Sequence, residues 1–415
     1  MVKRIATEAP QSSRPSGPPS RRPVVLVTHS YYEEDPRLRR QAEAILAAGR
    51  PVEVISLRRP GDPPEGEVAG VRVRRLDVQR HQGAGLGTYL AEYLAFFVRV
   101  ALALVRAQPH RRYALVQVAT LPDWLVFAAL PLRLVGVPVI LDLHESMPDF
   151  FRSRFPRAAN PLVHRALRLA ERASVAVASH ALTVNDALRD RLVGLGVAPG
   201  HLSVVRNTPS LARFDPAAQP ARPFMADGTL RLVYAGALTP TYELDVAVRA
   251  VAGLAARRPD LPVHLDLYGR GDSRPALEAL AAALGIADRL TFHGRIPIED
   301  GPAAIARADV GLAPTRRDPF TDASLSTKIL EYAAMRRPAV ASRLPLVEAT
   351  FPGGTIATYA PGDADELAAR ILGLVDGPAA REAAVDAAAD LVASMSWERD
   401  ARDYLAVLEA FARDH

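Results

Sequence analysis

Residues 319–342 read PFTDASLSTKILEYAAMRRPAVAS. A loop bearing proline and aspartate leads into a helical segment that opens on Ser324, Ser326 and Thr327, carries Lys328 and Glu331 three positions apart, and gives way to the apolar run PAVAS. Small hydroxylic residues at a helix start cap unpaired amides, which accounts for one hydroxyl and leaves two over. Amides at such a terminus also draw anions, and side chains three apart share one face. The stretch is therefore a candidate for holding a phosphate beside a ring that carries hydroxyls, where a helix feeds a covered strand.

The same order of helix and strand extends in both directions. Around the quoted stretch lie LRLVYA (230–235), PVHLDLYG, LTFHG, DVGLAPT and TIATY, joined by alanine-rich helical segments. An earlier series runs VVLVT (24–28), VEVISL (52–57), ALVQVA, PVILDL, ALTVN and LSVV, separated by helical patterns such as 122–135 and 161–173. Short β-branched runs alternating with longer helical ones predict an α/β fold with parallel sheets covered on both faces. Residues 206–229, between the series, are proline-rich and aperiodic, which reads as a linker. The expectation is two Rossmann-like, doubly wound domains facing across a cleft, residues 23–208 and 230–395, with a linker at 209–229 and an amphipathic closing helix in 396–415. A chain of 415 residues also exceeds what one core usually organises.

Charge is concentrated at one end. Most of the formal +5 comes from residues 1–22, where Lys3, Arg4, Arg14, Arg21 and Arg22 stand against Glu8. The rest is nearly neutral, which argues against a nucleic-acid partner. The tail itself is rich in Pro, Ser and Arg without apolar anchors and reads as disordered. It lacks the apolar core of a secretory leader, so a cytoplasmic protein is expected. With no cysteine, disulfides, zinc ribbons and thiol nucleophiles are excluded. Residues 86–107 come near a membrane span, but Glu92, Arg99 and Arg106 recur every seven residues on one stripe. A central arginine costs about 2.5–3.5 kcal/mol on insertion scales. A core helix with one wet polar edge is the preferred reading, and peripheral contact at the inner face of a membrane is the alternative.

Phosphate and metal motifs narrow the chemistry. No G-x-x-x-x-G-K-[ST] is present, which removes a P-loop NTPase. Gly269-Arg270-Gly271 follows a strand but has Arg274 where a dinucleotide fingerprint needs its third glycine. Asp363-Ala364-Asp365 opens an amphipathic helix, so capping explains it better than metal binding. No other His, Asp or Glu cluster has ligand spacing, and no metal is expected.

Motif order supports a resemblance. THSYYEEDPRLRRQAEAILAAG, VILDLHES, LTVND, Asn207 in the linker, YAGALTP, LYGRGDS, LTFHGRI, DVGLAPT and KILEYAAMRRPAVAS follow one another as in glycosyltransferase family 4, retaining nucleotide-sugar enzymes of the GT-B fold. The chain resembles that family over residues 23–412, most specifically in the KILEY segment. The resemblance implies a retaining, metal-independent hexosyltransferase of surface polysaccharide or glycolipid biosynthesis. Such an enzyme moves a sugar from a nucleotide-diphosphate donor to the hydroxyl of a sugar or lipid-linked acceptor, with no cofactor beyond the donor. By position, Glu331 matches a family glutamate that binds the nucleotide ribose, and Lys328 a lysine that meets the diphosphate. His144, beside Glu145 at the end of strand 139–143, matches a histidine that contacts the donor sugar. Gly236 and Thr239 in YAGALTP, with Ser326 and Thr327 at the helix start, complete the implied donor-binding set.

Departures from the family pattern bear on the diphosphate. Ala323, with Asp322 adjacent, stands where the first of the family's paired glutamates falls, and Thr241 and Tyr242 replace its usual Arg/Lys pair. Arg316 and Arg317 are the expected substitutes for the missing positive charge. Asp35 and Arg37, after the first strand, are further cleft candidates, although an Asp-Pro helix start explains them equally well. Two rival functions stay open at this point: a nucleotide-sugar epimerase or hydrolase on the same fold, and a catalytically silent nucleotide- or carbohydrate-binding partner.

Overall fold

Four consecutive apolar residues with no exposed surface form β1 (Val24–Val27), which only a strand covered on both faces allows. The computed structural model describes residues 21–81, 85–220 and 222–414, so the expected disorder of the basic tail falls, up to position 20, outside the described residues. Beside β1 the first sheet holds β2 (Val52–Leu57), β3 (Glu65–Val68), β4 (Val71–Leu76), β5 (Leu115–Ala119), β6 (Val139–Leu143), β7 (His180–Thr183) and β8 (Leu202–Val204), in the order β3-β4-β2-β1-β5-β6-β7-β8. The second holds β9 (Leu230–Ala235), β10 (Val263–Tyr268), β11 (Leu290–Gly294), β12 (Val310–Ala313), β13 (Ala339–Ser342) and β14 (Ala357–Tyr359), ordered β11-β10-β9-β12-β13-β14. Every pairing is parallel except β3 with β4. Winding reverses at β1, between β2 and β5, and at β9, between β10 and β12. Ligands of such sheets sit outside the carboxyl ends of the strands at these reversals.

The first lobe carries α1 (Pro36–Ala47), α2 (Leu86–Arg111), α3 (Leu130–Leu134), α4 (Met147–Arg154), α5 (Pro161–Val177) and α6 (Asp186–Gly194). The second carries α7 (Leu244–Arg257), α8 (Arg274–Ala283), α9 (Gly301–Ala306), α10 (Pro319–Asp322), α11 (Thr327–Ala334), α12 (Pro345–Thr350), α13 (Ala364–Asp376) and α14 (Pro378–Ala393). The helix α15 (Trp397–Phe411) follows the second lobe in sequence yet packs on the first. Its Trp397, Tyr404 and Leu408 share a core with Leu38 and Ala42 of α1, and Tyr404 Oη donates to Gln117 Oε1 of β5 at 2.7 Å.

Two elements differ from the sequence expectation. The hairpin β3–β4 was not expected: β3 reads EGEV, and β4 alternates Val71 and Val73 inward with Arg72 and Arg74 outward. Such charge-bearing edges lack the apolar run of a covered strand. The other is α2, where one residue of the expected polar stripe is buried and the exposed face is largely apolar. Glu92 is buried against His81 Nδ1 at 2.5 Å, Phe96, Val100 and Leu104 enter the core, and the exposed face shows Leu90, Leu94, Val98, Leu102 and Val105. A seven-residue stripe drifts by about 40° over two heptads of a 3.6-residue helix. Glu92 is therefore free to turn inward to its histidine while Arg99 and Arg106 stay outside.

Candidate functional site

The carboxyl end of β6 sets one wall of the cleft. Asp142, fully buried, accepts Arg37 Nη2 at 2.7 Å and Nε at 3.2 Å, Gln41 Nε2 at 2.7 Å and Gln117 Nε2 at 3.2 Å, with His144 Nε2 at 3.2 Å. Burial alone would raise its pKa, but the Arg37 guanidinium and His144 outweigh that and hold the carboxyl well below the usual range. Arg37 is thus spent inside the fold. Asp35 caps α1, accepting Leu38 N–H at 3.0 Å and Ser30 Oγ at 2.7 Å ahead of Pro36. Asp35 and Arg37, expected as cleft candidates, are structural. What the cluster does for the cleft is orient His144, whose backbone N–H donates to Thr120 Oγ1 at 3.0 Å. His144 and Glu145 then line a cavity of about 330 Å³ with Tyr242, Ser326, Thr327 and Lys328 opposite. Burial pushes the Glu145 carboxyl up, opposed by His144 and Arg80.

The other wall is the start of α11. Ser324 Oγ donates to Phe320 O at 2.9 Å, so that hydroxyl is used by the loop. Ser326 occupies the cap position without capping, and its buried Oγ has no hydrogen-bond partner. Lys328 is buried, and no carboxylate lies within ion-pair distance of it among the described residues. Its Nζ sits 3.9 Å from the Tyr242 ring centre and 5.1 Å from that of Tyr234, a cation held by two π faces. Gly236 makes room for it: a β-carbon there would run into the Lys328 side chain and come within 3.0 Å of Tyr234 Oη. A β-carbon on Gly269 or Gly271 would likewise strike the Gly236 or Leu238 carbonyl, so these glycines let two strand-end loops touch.

One turn on, Glu331 is half-buried in a second cavity of about 260 Å³, shared with Gly236, Lys328, Arg40, Arg213 and Pro297. Burial raises its pKa to about 7, against the pull of Arg40, Lys328 and Arg213. Arg40 comes from α1 of the first lobe, bonds Asn207 Oδ1 and lies 5.6 Å from the Trp397 ring centre. Burial lowers it to about 10, opposed by Glu331. The lobes meet beside this cavity through Arg39 and Glu299 at 2.6 Å and Glu34 and Arg295, and elsewhere through Ser153 Oγ donating to Asp318 at 2.6 Å. Ala323, where a family glutamate would fall, instead offers its carbonyl to Asn185 Nδ2 at 3.0 Å.

The structure thus brings His144, Glu145, Gly236, Ser326, Thr327, Lys328 and Glu331 to two adjoining cavities. Arg316 and Arg317, expected on the diphosphate, are exposed and line neither; Arg317 pairs with Asp322 at 3.1 Å. The cause is local: Asp318 caps α10, and Thr321 Oγ1 donates to Arg316 O at 2.7 Å, which turns the loop outward. Thr239 also stays out, its carbonyl accepting Tyr242 N–H at 3.0 Å in a turn. Arg40 was missed, although it follows Arg37 at three residues in PRLRRQ, the spacing of one helix face. Tyr242 looked like a lost charge and is the seat of one. Asp363 caps α13 through Glu366 N–H at 2.8 Å, and Asp365 pairs with Arg257 at 2.6 Å. Among the described residues no three His, Asp or Glu side chains are placed to hold a metal ion.

Comparison with known proteins agrees with this geometry. The family model described as glycosyl transferase 4-like domain matches residues 35–208, and that described as glycosyl transferases group 1 matches residues 229–377. The alpha-D-kanosaminyltransferase of Streptomyces kanamyceticus is 28% identical over 285 residues, 66% of this chain and 70% of that protein. A D-inositol 3-phosphate glycosyltransferase of Streptomyces griseus is 28% identical over 409 residues, 90% of this chain and 83% of that protein. Among solved structures, sucrose-phosphate synthase from Thermosynechococcus elongatus superposes with a TM-score of 0.75 at 19% identity, covering 94% of this chain and 99% of that one. The Anabaena protein HepE in complex with UDP-glucose gives 0.67 at 13% identity, covering 94% and 100%. Two matched domains in tandem, on two facing Rossmann-like sheets, place the chain in glycosyltransferase family 4, as a nucleotide-sugar glycosyltransferase of the GT-B fold.

Proposed function

We propose that the chain moves a sugar from its nucleotide-diphosphate donor to an acceptor hydroxyl with retention of configuration and without a metal ion. One observation carries this reading: Lys328 is a buried cation with no carboxylate partner, one turn from Glu331 at the junction of two cavities. A buried charge is costly unless something completes it, and a bound diphosphate does so. Ser326 Oγ and the first amides of α11 add donors to the same anion. Glu331, when ionised, accepts from the two hydroxyls of a ribose. His144, held by Asp142, addresses the sugar from the other wall. The bond from the anomeric carbon to the diphosphate breaks, the acceptor oxygen bonds that carbon on the same face, and its proton passes to the departing phosphate. The protein's share is orientation and charge stabilisation. The same reading places the reaction in the cytoplasm, with a sugar or lipid-linked acceptor of surface polysaccharide or glycolipid synthesis.

The test is turnover of a panel of nucleotide sugars by EDTA-treated enzyme, with the product's anomeric configuration read by NMR. Retained configuration and undiminished rate are expected. Inverted product would remove retention, rescue by Mg²⁺ the metal-free scheme, and donor loss independent of acceptor would make the enzyme a hydrolase.

A further inference from the structure

An apolar wall runs along the outside of the first lobe. Leu90, Leu94, Val98, Leu102 and Val105 of α2, each 45–58% exposed, recur at helical spacing over about 22 Å. Leu134 and Val135, at the end of α3 against the same helix, are 78% and 72% exposed. Soluble monomers rarely leave so continuous an apolar surface uncovered.

Charge decides what covers it. Arg99 and Arg106 on α2 are exposed, as are Arg165, Arg168 and Arg172 on α5, which like α2 packs on the 3₁₀ helix Asp123–Ala129. None of the five makes an ion pair among the described residues. The only acidic residues of the two helices, Glu92 and Glu171, are buried against His81 and Arg191. The wall on α2 is thus apolar with two exposed arginines that make no ion pair among the described residues, and neither helix exposes a carboxylate. A second copy docked face to face would set arginine against arginine, whereas an anionic lipid surface complements both features. The helix is long and apolar enough to cross a membrane, but Phe96, Val100 and Leu104 are locked into the lobe's core, so only one face is free to meet lipid.

We propose that this wall seats the enzyme on an anionic membrane, with α2 lying in the interface, its leucines at the acyl boundary and the arginines on phosphate headgroups. At the start of α2, Tyr93 packs edge-on to Trp124 at 6.3 Å and to the His29 ring at 4.7 Å, beside the end of β1 that opens on the cleft. Seated this way the first turns of α2, which pack beside the end of β1, lie at the lipid surface, and this, resting on the transferase reading above, favours a lipid-linked acceptor.

The test is flotation of the full chain with vesicles of phosphatidylglycerol and phosphatidylcholine against phosphatidylcholine alone. Binding at least tenfold stronger to the anionic vesicles is expected, and at least tenfold weaker binding for Leu94→Glu/Leu102→Glu and for Arg99→Glu/Arg106→Glu. The basic N-terminal segment is present in every variant, so a loss on changing α2 alone is what assigns the site. An unchanged thermal shift with nucleotide shows that the variants remain folded and keeps this outcome separate from that of the transferase reading. No preference for anionic vesicles, or variants that bind as the parent does, would overturn the proposal. A dimer by light scattering that Leu94→Glu dissolves, without vesicle binding, would assign the wall to a second copy instead.

Discussion

Asp142 and Lys328 are both buried charges beside the same cleft, and they are treated in opposite ways. Four protein N–H groups and a histidine converge on Asp142, and every one comes from the first lobe. Lys328 has two tyrosine rings and, among the described residues, no carboxylate within ion-pair distance, with an unpartnered serine hydroxyl nearby in the same cavity. A charge completed by the protein holds the protein together, and a charge left incomplete is a place for something that arrives from solution.

The sharpest way to break this contrast is to empty the closed cluster. Asp142→Ala leaves Arg37 buried with, among the described residues, only the Val205 carbonyl, at 3.1 Å, still accepting from it. A loss of about 3–5 kcal/mol of unfolding free energy is expected in urea titration, since one partner of a buried pair remains uncompensated. A loss below about 1 kcal/mol would show the cluster to be ordinary.

Substitutions on the open side are expected to touch ligand rather than fold. Glu331→Ala should weaken nucleotide binding in calorimetry by about 1.5–3 kcal/mol, the range for a hydrogen bond to a charged group. The pKa near 7 adds a pH signature. Acidification from pH 8 to 6 protonates the carboxylate and weakens nucleotide binding, whereas Glu331→Gln should be flat. The free enzyme runs the other way: a carboxyl raised from 4.5 to about 7 lowers stability as pH climbs through that window, and the variant loses this slope. An unchanged dissociation constant at all pH values would remove the ribose assignment.

Lys328→Ala should cut kcat/KM at least tenfold, about 1.4 kcal/mol of transition-state stabilisation. Its apo stability should change little, because the buried ammonium is held by the Tyr234 and Tyr242 rings and makes no ion pair within the protein. A lowered melting temperature with normal kinetics would make Lys328 a structural residue after all. The smallest effect belongs to Arg316→Ala, whose exposed side chain faces neither cavity. Rates within about twofold of the parent are expected, as for surface changes generally.

What the sequence revealed follows the same division. Covered strands were legible because burial on both faces leaves a short run dense in apolar residues: VEVISL at 52–57, Glu53 and Ser56 included, and LRLVYA at 230–235, Arg231 included, coincide with β2 and β9. The helix start at Ser326, with Lys328 and Glu331 on one face, was legible from spacing alone. The side chains misjudged were those whose partners are distant in sequence. Arg37 waits 105 residues for Asp142, and Arg40 waits 167 for Asn207, so no local pattern shows which of the two is spent and which faces the cavity. Arg316 and Arg317 looked like replacement charges because their number was right, but the Asp318 cap sets their direction. On α2 composition was visible, whereas its outward apolar face depends on which side the lobe's core takes, and that side is Phe96, Val100 and Leu104.

The return of α15 to the first lobe has a consequence for synthesis. A ribosome releases β1 to β8 long before residues 397–411, so the nascent first lobe stands for some 200 residues with the seam of α1 bare and Gln117 without its tyrosine. Translation at about 5–20 residues per second makes that interval on the order of 10 to 40 seconds. The second lobe has all its strands by Tyr359 and need not wait. The lobe begun first is therefore finished last, and its exposed seam is where a chaperone would meet the growing chain.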